Sequence, residues 1–407
     1  MTHSDEQSQF VDPRPYGLYV RNVGLGVAAI LLVMAVLNVL ADPFAWRDDH
    51  RLVQPDVTTH GREVILNMAG RAHPDIVALG TSRTGAAWGS GEPAFRGRAF
   101  FNASVPGGTI GEVASIAEYL TQGPHHPQEF LLGTYLLHTQ TTATLSPASI
   151  FIHWNLVSRH QSLTDIPNYL AYVFSFDALR SSFRTVIREY VARYPPQIRA
   201  DGQQLPYNFV HGVEVVGGPY AASRQPELPT TRSDLTRYAR ELDRFLAAAC
   251  RVRAPVKLVI EPMHVIYFEW IEQTGHWSDF LEWQRQIAQR SRDGQCPVEV
   301  WSFTDMDAVS TDALPQIDAP MRPMTYWFDL VHFSPQVGSW MLHTMYGTGE
   351  SGPAGFGQKL NSENFAAYAQ RLQAHYQAFA VLDKGSKHSV AEVMRGILRR
   401  QAHEGGS

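Results

Sequence analysis

The hydrophobic pattern of the chain has three regimes. From Asn22 to Ala41 run 20 residues without a charge, wholly apolar from Val27 to Leu37, enough to cross about 30 Å of hydrocarbon as a helix. From Thr58 onward apolar runs alternate with helical patterns. Thr58–Arg71 reads as a helix, Asp75–Leu79 as a buried strand, Gly80–Gly91 as a turn and Ala99–Ala103 as a second strand. A helix from about Gly111 to Leu120 and a strand over Glu129–Leu137 follow, and Val256–Ile260 and Val298–Ser302 complete five strands. The third regime is an insertion of about 115 residues between the third and fourth strands. Its first half, Pro147 to Tyr194, carries Tyr169, Tyr172, Val173 and Phe176 at helical spacing, and its second half, Pro195 to Pro229, is rich in Pro and Gly and reads as an extended loop. An insertion of this kind serves as a lid or substrate wall, or simply thickens the core.

Strands separated by helical stretches pair in parallel through right-handed crossovers. The pattern therefore predicts an α/β fold, a three-layer sandwich around a mostly parallel five-stranded sheet, with a helical insertion and an N-terminal transmembrane helix. The implied division is a cytoplasmic tail (1–21), an anchor (22–41), a polar linker (42–57) and an α/β domain (58–350) with its insertion at about 140–230. A C-terminal helical extension (351–383) and a basic tail (384–407), expected to be poorly ordered, complete the chain.

Arg14 and Arg21 precede the apolar span and Arg47 and Arg51 follow it, so the charge rule orients it only weakly. The absence of a second such span carries the topology. An N-in signal anchor places the globular body on the periplasmic side of an inner membrane; cleavage near Ala41 is the alternative.

Composition narrows the chemistry. With 407 residues, 44% of them hydrophobic, and a net charge of −5, the chain can bury a large core and has no basic or acidic block of the kind that binds nucleic acid. The two cysteines, Cys250 and Cys296, have no metal-site spacing and are either a disulfide of an oxidising compartment or two separate buried thiols. His125, His126 and His138 lack a carboxylate at ligand spacing, so no metal is assigned. Gly107, Gly108 and Gly111 do not make a dinucleotide fingerprint. No cofactor is implied. Trp270, Trp277 and Trp283, at near-helical spacing, read as packing residues.

Two short motifs carry the chemistry. Gly80-Thr81-Ser82 ends the first apolar strand, which puts a serine at the carboxyl edge of the sheet, where open α/β sheets place their sites. Some 250 residues later Asp329-Leu330-Val331-His332 leads into Ser334-Pro335, a helix start. A serine hydroxyl is a poor nucleophile unless a histidine takes its proton and an acid holds that histidine in the right tautomer. An Asp three residues before a His in one turn can face Nδ1 and leave Nε2 for the serine. The bland alternative is two local turns, one capped by a hydroxyl and one by a carboxylate. Arg83 either neutralises an anionic substrate or pairs with a carboxylate. His264, directly after the fourth strand, is either a substrate contact or a satisfied structural group.

On these residues the chain resembles the SGNH (GDSL-type) hydrolase superfamily, and is most similar to its membrane-anchored branch containing the alginate O-acetylation and teichoic-acid D-alanylation proteins. The resemblance covers about residues 60–350 and rests on Gly80-Thr81-Ser82-Arg83, on Phe101-Asn102-Ala103-Ser104-Val105-Pro106-Gly107-Gly108, and on Trp327 to Phe333 with Gly338 in the helix after it. It implies Ser82 as nucleophile, His332 as base and Asp329 as its orienting acid. The implied oxyanion site is made by the Ser82, Gly107 and Gly108 segments with Asn102. The family's third block is absent, since the strand through Gly133-Thr134-Tyr135 has no Asn after its glycine. That leaves the second oxyanion donor open, a term worth about 10²–10³ in rate. The implied activity is an acyl esterase or O-acyltransferase acting on an envelope or exported polysaccharide, with a membrane acyltransferase as a possible partner. The alternatives are a degenerate glycan-binding accessory protein of an exopolysaccharide assembly and a structural envelope protein.

Overall fold

The computed structural model describes residues 14–47, 52–122, 125–136, 165–205, 232–314, 324–384 and 389–404. His138, the insertion up to residue 164 and residues 206–231 of its loop lie outside them. The chain divides into two compact units: residues 1–56 with 161–194, and residues 57–160 with 195–407.

The first unit is built on α1 (Arg14–Ala41), whose residues Tyr16–Ala41 form a helix long and apolar enough to span a membrane. The insertion supplies α5 (Asp165–Val173) and α6 (Phe176–Val186), the latter running on through a π turn at Ile187–Val191. These helices pack against the last turns of α1, so this part of the insertion is a companion of the apolar helix. Asn38, fully buried, donates to the carbonyls of Val173 and Ser175, and its carbonyl oxygen accepts from Tyr172. Phe44, Tyr172, Val173 and Ala178 close a small core beside Trp46 and Tyr169. The described parts of the polar stretch after the span, residues 42–47 and 52–57, therefore do not behave as a free linker. Ala45 and Asp56 are fully buried, Asp42 accepts from the Trp46 and Arg47 N–H groups, and Asp56 pairs with Arg184 and Arg188. A composition-based reading misses this because the burial is supplied by residues more than 120 positions away.

The second unit holds the sheet. Its strands are β1 (Ile76–Leu79), β2 (Phe100–Asn102), β3 (Glu129–Thr134), β4 (Val256–Ile260), β5 (Val298–Ser302) and β6 (Gln358–Leu360), in the order β2-β1-β3-β4-β5-β6. The first five are parallel; β6 is antiparallel to β5. The sheet thus has six strands, not five. The sixth, three residues at an edge, is too short to show a period and lies where a purely helical extension was expected. Gly357 at φ +90° brings it in, and a Cβ there would meet the Phe303 ring at 2.3 Å.

Strand residues alternate between two helical coverings, as the pleat requires. Phe130 meets Phe245 of α7 (Arg232–Arg251), edge-to-face at 5.9 Å, beside α4 (Ile110–Leu120). Its neighbour Leu131 joins Ile76, Ala78 and Val259 in a core completed by Val337 and Met341 of α10 (Pro335–Tyr346). The helix expected over Thr58–Arg71 is α2 (Val57–Ala72), irregular at His60. Between β4 and β5 lie α8 (Val265–Gln273) and α9 (Trp277–Ala288). Trp270 and Trp283 are buried and Trp277 stacks on Tyr376 at 5.0 Å, in keeping with packing roles. The basic tail is ordered over α12 (Val390–Glu404), docked beside α8 after α11 (Phe365–Asp383). Its start is capped by the Asp383 carboxylate, which accepts from Ser389 Oγ and the Val390 and Ala391 N–H groups. Cys250 and Cys296 form a disulfide, Cα–Cα 5.3 Å, tying the end of α7 to the approach of β5.

Candidate functional site

The nucleophile position is built by close approach. β1 ends at Leu79 and turns through Gly80, at φ +155°, into the short helix α3 (Ser82–Ala87). A Cβ on Gly80 would lie 2.2 Å from Thr84 Oγ1, and one on Gly133 of β3 2.0 Å from the same atom. Both positions therefore require glycine. Thr81 caps α3, its hydroxyl accepting from Arg83 N–H at 3.4 Å. Ser82 follows it, half-buried, at the carboxyl edge of the sheet.

The other half of the site is a tight turn pinned on both sides. Trp327 and Phe333 pair as an antiparallel bridge and are buried, and Trp327 Nε1 donates to the Val309 carbonyl at 2.7 Å. Within the turn Asp329 Oδ1 accepts from the N–H groups of Val331 (2.7 Å) and His332 (2.6 Å). Its Oδ2 faces His332 Nδ1 at 2.8 Å. His332 Nε2 lies 2.8 Å from Ser82 Oγ. With Nδ1–H directed at the carboxylate, Nε2 is left as the acceptor facing the serine hydroxyl. The side chains of His332 and Asp329 are 12% and 15% exposed, so the pair is mostly buried and keeps a narrow edge open to solvent. Burial raises the pKa of Asp329, but the His332 ring, attraction to it and the two backbone N–H groups together hold it below the usual carboxylate value. The acid is thus ionised, as an orienting group must be.

The two halves are locked together. Gly338 of α10 packs against α3, where a Cβ would meet the Ala87 carbonyl at 2.7 Å, and Trp88 Nε1 donates to the Gly338 carbonyl at 3.2 Å.

Three residues assigned to substrate or oxyanion turn out to be scaffolding. Asn102 is fully buried. Its amide donates to the carbonyls of Thr84 (2.9 Å) and Trp88 (2.8 Å) at the end of α3, and its oxygen accepts from Ser104 N–H. With both ends engaged it holds the nucleophile helix and does not face an oxyanion. Arg83, 1% exposed, pairs with the equally buried Glu261 through Nε at 2.9 Å. It also donates to the carbonyls of Pro262 and Val331, the latter next to His332, and the ring of Tyr135 lies 4.6 Å from its guanidinium. It is a brace, not a substrate contact. His264 is fully buried and caps α8; its Nε2 lies 2.8 Å from the Asp312 carbonyl, and burial pushes its pKa down to about 4.

Of the two glycines, Gly108 donates its N–H to the Val105 carbonyl at 2.9 Å, and Val105 N–H donates to the Gly80 carbonyl at 3.0 Å, bringing this loop beside the nucleophile turn. Gly107, exposed at φ +61°, is the one whose N–H is not engaged inside that turn among the described residues. A small, almost wholly apolar pocket is lined by Arg83, Tyr135, Leu136, Met263, Tyr267 and Trp270.

Sequence reading missed Glu261, which also accepts from Thr84 Oγ1 at 2.6 Å. Its signal was available: an acid placed directly after an apolar strand and before a proline. It also missed Gln204, from a segment read as open loop, which donates to the Ser104 carbonyl (3.0 Å) and, through its N–H, to the Gly85 carbonyl (2.9 Å). No pattern near Gln204 could have announced this. Searches of protein-family models, curated proteins and solved structures find no match to this chain.

Proposed function

We propose that the protein is a serine acyl esterase or O-acyltransferase of SGNH type, a three-layer α/β body held by α1 on the periplasmic side of an inner membrane. Its substrate would be an acylated envelope or exported polysaccharide. The observation that carries the reading is the continuous chain Ser82 Oγ, His332 Nε2, His332 Nδ1, Asp329 Oδ2, each link 2.8 Å. In the proposed reaction Ser82 Oγ attacks the acyl carbonyl as its proton passes to His332, and the Ser82 and Gly107 N–H groups face the developing oxyanion. Collapse expels the donor alcohol, protonated by His332, and leaves an acyl-serine. A water or a sugar hydroxyl, deprotonated by His332, then attacks the acyl-serine and frees Ser82. Hydrolysis and transfer differ only in that acceptor, and a membrane acyltransferase could supply the acyl group. The intact connection weighs against a degenerate glycan-binding module, which has no use for an ordered triad.

The test is fluorophosphonate labelling of the full chain in detergent, with a chromogenic acetyl ester as substrate. Labelling at Ser82 and loss of both signals in Ser82→Ala are expected. Equal labelling and turnover in that variant would return the protein to the accessory class. For topology, a reporter active only outside the cytoplasm, fused after Ser407, should be active in the membrane fraction; a cytoplasmic signal would overturn the export reading.

A further inference from the structure

The helix α6 with its π turn is amphipathic in the inverse sense to a helix of a water-soluble body. Its buried positions are Ala178, Ser181, Ser182 and Thr185, all small and three of them hydroxylated. Its exposed positions include Phe176 (77%), Phe183 (52%), Ile187 (53%), Tyr190 (63%) and Val191 (75%). These recur at intervals of seven, four, three and one residues and share one face of the helix, on which the exposed Arg180 also lies. A soluble unit seldom leaves so large an apolar stripe open.

The inward face has the chemistry of helix packing in membranes, where small residues allow close approach and hydroxyls bond across. Ser182 Oγ donates to Asn38 Oδ1 at 3.0 Å, and α1 and α6 pack along this seam. The position along α1 identifies the surroundings. Residues 16–33 of α1 are exposed without a break, about 27 Å at 1.5 Å per residue, close to the thickness of a hydrocarbon core. Burial begins at Met34, where the companion helices take over from solvent or lipid. The helix α6 therefore packs on the last turns of the same apolar helix, around Ala35 to Val39. The same helix carries Arg184 and Arg188, paired with Asp56, and a Tyr190 hydroxyl that donates to the Leu52 carbonyl at 3.1 Å. Polar groups of this kind hold a helix at the level of the headgroups and keep it out of the hydrocarbon centre.

We infer that α6 is a second membrane-contacting element, lying in the bilayer interface with Phe176, Phe183, Ile187 and Val191 among the upper acyl chains. It would fix the rotation and depth of α1, so that the unit sits on the lipid surface and is not tethered loosely above it. The inference rests on the reading of α1 as the membrane span, and the experiment separates the two.

Single cysteines are placed at Phe183, Ile187 and Val191 on the stripe, at Leu25 on α1 and at Arg240 as an aqueous reference, in the full chain with its native disulfide oxidised. Each is nitroxide-labelled and reconstituted into phosphatidylethanolamine–phosphatidylglycerol vesicles, and collision rates with oxygen and with a nickel chelate are measured. Leu25 and the three stripe positions should favour oxygen over nickel several-fold relative to Arg240. Lipid-like values at Leu25 with water-like values on the stripe would overturn the inference and leave the anchor standing. Water-like values at Leu25 would overturn both. Protection of the stripe from both reagents would mean that protein covers it, a second copy or another chain, and would overturn the lipid assignment.

Discussion

Two polar clusters share the carboxyl edge of the sheet and differ in what they can do. In front, Ser82, His332 and Asp329 are half-buried, linked in one line, and each has a partner whose proton can move. Behind them Arg83, Glu261, Thr84 and His264 are almost completely buried, and their polar groups are bonded to backbone or to each other. Adjacent residues of one turn, Ser82 and Arg83, point into the two clusters. Polar residues gathered at a site are thus of two kinds, those linked in line at a partly exposed edge and those buried and bonded to the scaffold. Only the first kind can meet a substrate.

Substitutions that change one cluster should leave the signature of the other untouched. The largest effects belong to the front. Ser82→Ala or His332→Ala should lower ester turnover by up to about 10⁶, as in a well-studied serine protease, with Tm nearly unchanged. Asp329→Asn should lower turnover by about 10⁴ by favouring the wrong imidazole tautomer, and the double change with His332→Ala should lose little more than His332→Ala alone. A large fall in Tm for Asp329→Asn, with activity per folded molecule intact, would make the turn structural and end the comparison.

The rear cluster should respond in stability. Arg83→Ala strands the Glu261 carboxylate in the interior and should destabilise by about 3–5 kcal/mol in urea unfolding. Replacing both, Arg83→Met with Glu261→Leu, should recover part of that stability without restoring turnover, since the Val331 carbonyl beside His332 still loses its donor. Full recovery of turnover in the double variant would show that the brace does nothing for the base.

The smallest effect is a pH dependence. His264 is neutral when folded, with its pKa near 4, against about 6.5 unfolded. The unfolded chain therefore binds the proton first, and stability is full above pH 6.5 and falls as pH drops from about 6.5 to 4, by roughly 3 kcal/mol for a shift of this size. His264→Gln should remove that part of the acid slope; an unchanged slope in that variant would place the titration elsewhere.

How much of this was legible follows from what each feature depends on. The five parallel strands were visible because each is a local apolar run, and the triad because Asp329 and His332 lie in one turn while Ser82 ends a strand. The sixth strand was hidden because it is only three residues long and pairs with a strand some 56 positions earlier. Asn102, Arg83 and His264 carried the right chemistry for substrate contact, and burial alone assigned them to the scaffold. The companion helices of the insertion showed their period but not their partner.

The sequence by itself determined the alternation of strands and helices, the apolar span, the glycines that the nucleophile turn requires, and the identities of the three triad residues. These are properties of neighbours along the chain, set by periodicity, backbone freedom and local turn geometry. Tertiary structure decided which polar groups lie at a partly exposed edge, that residues 42–47 and 52–56 pack against the insertion helices, that Cys250 meets Cys296, and which way the apolar face of α6 points. Each of those depends on surfaces brought together over tens to hundreds of residues, and burial at such distances leaves no local mark in the sequence.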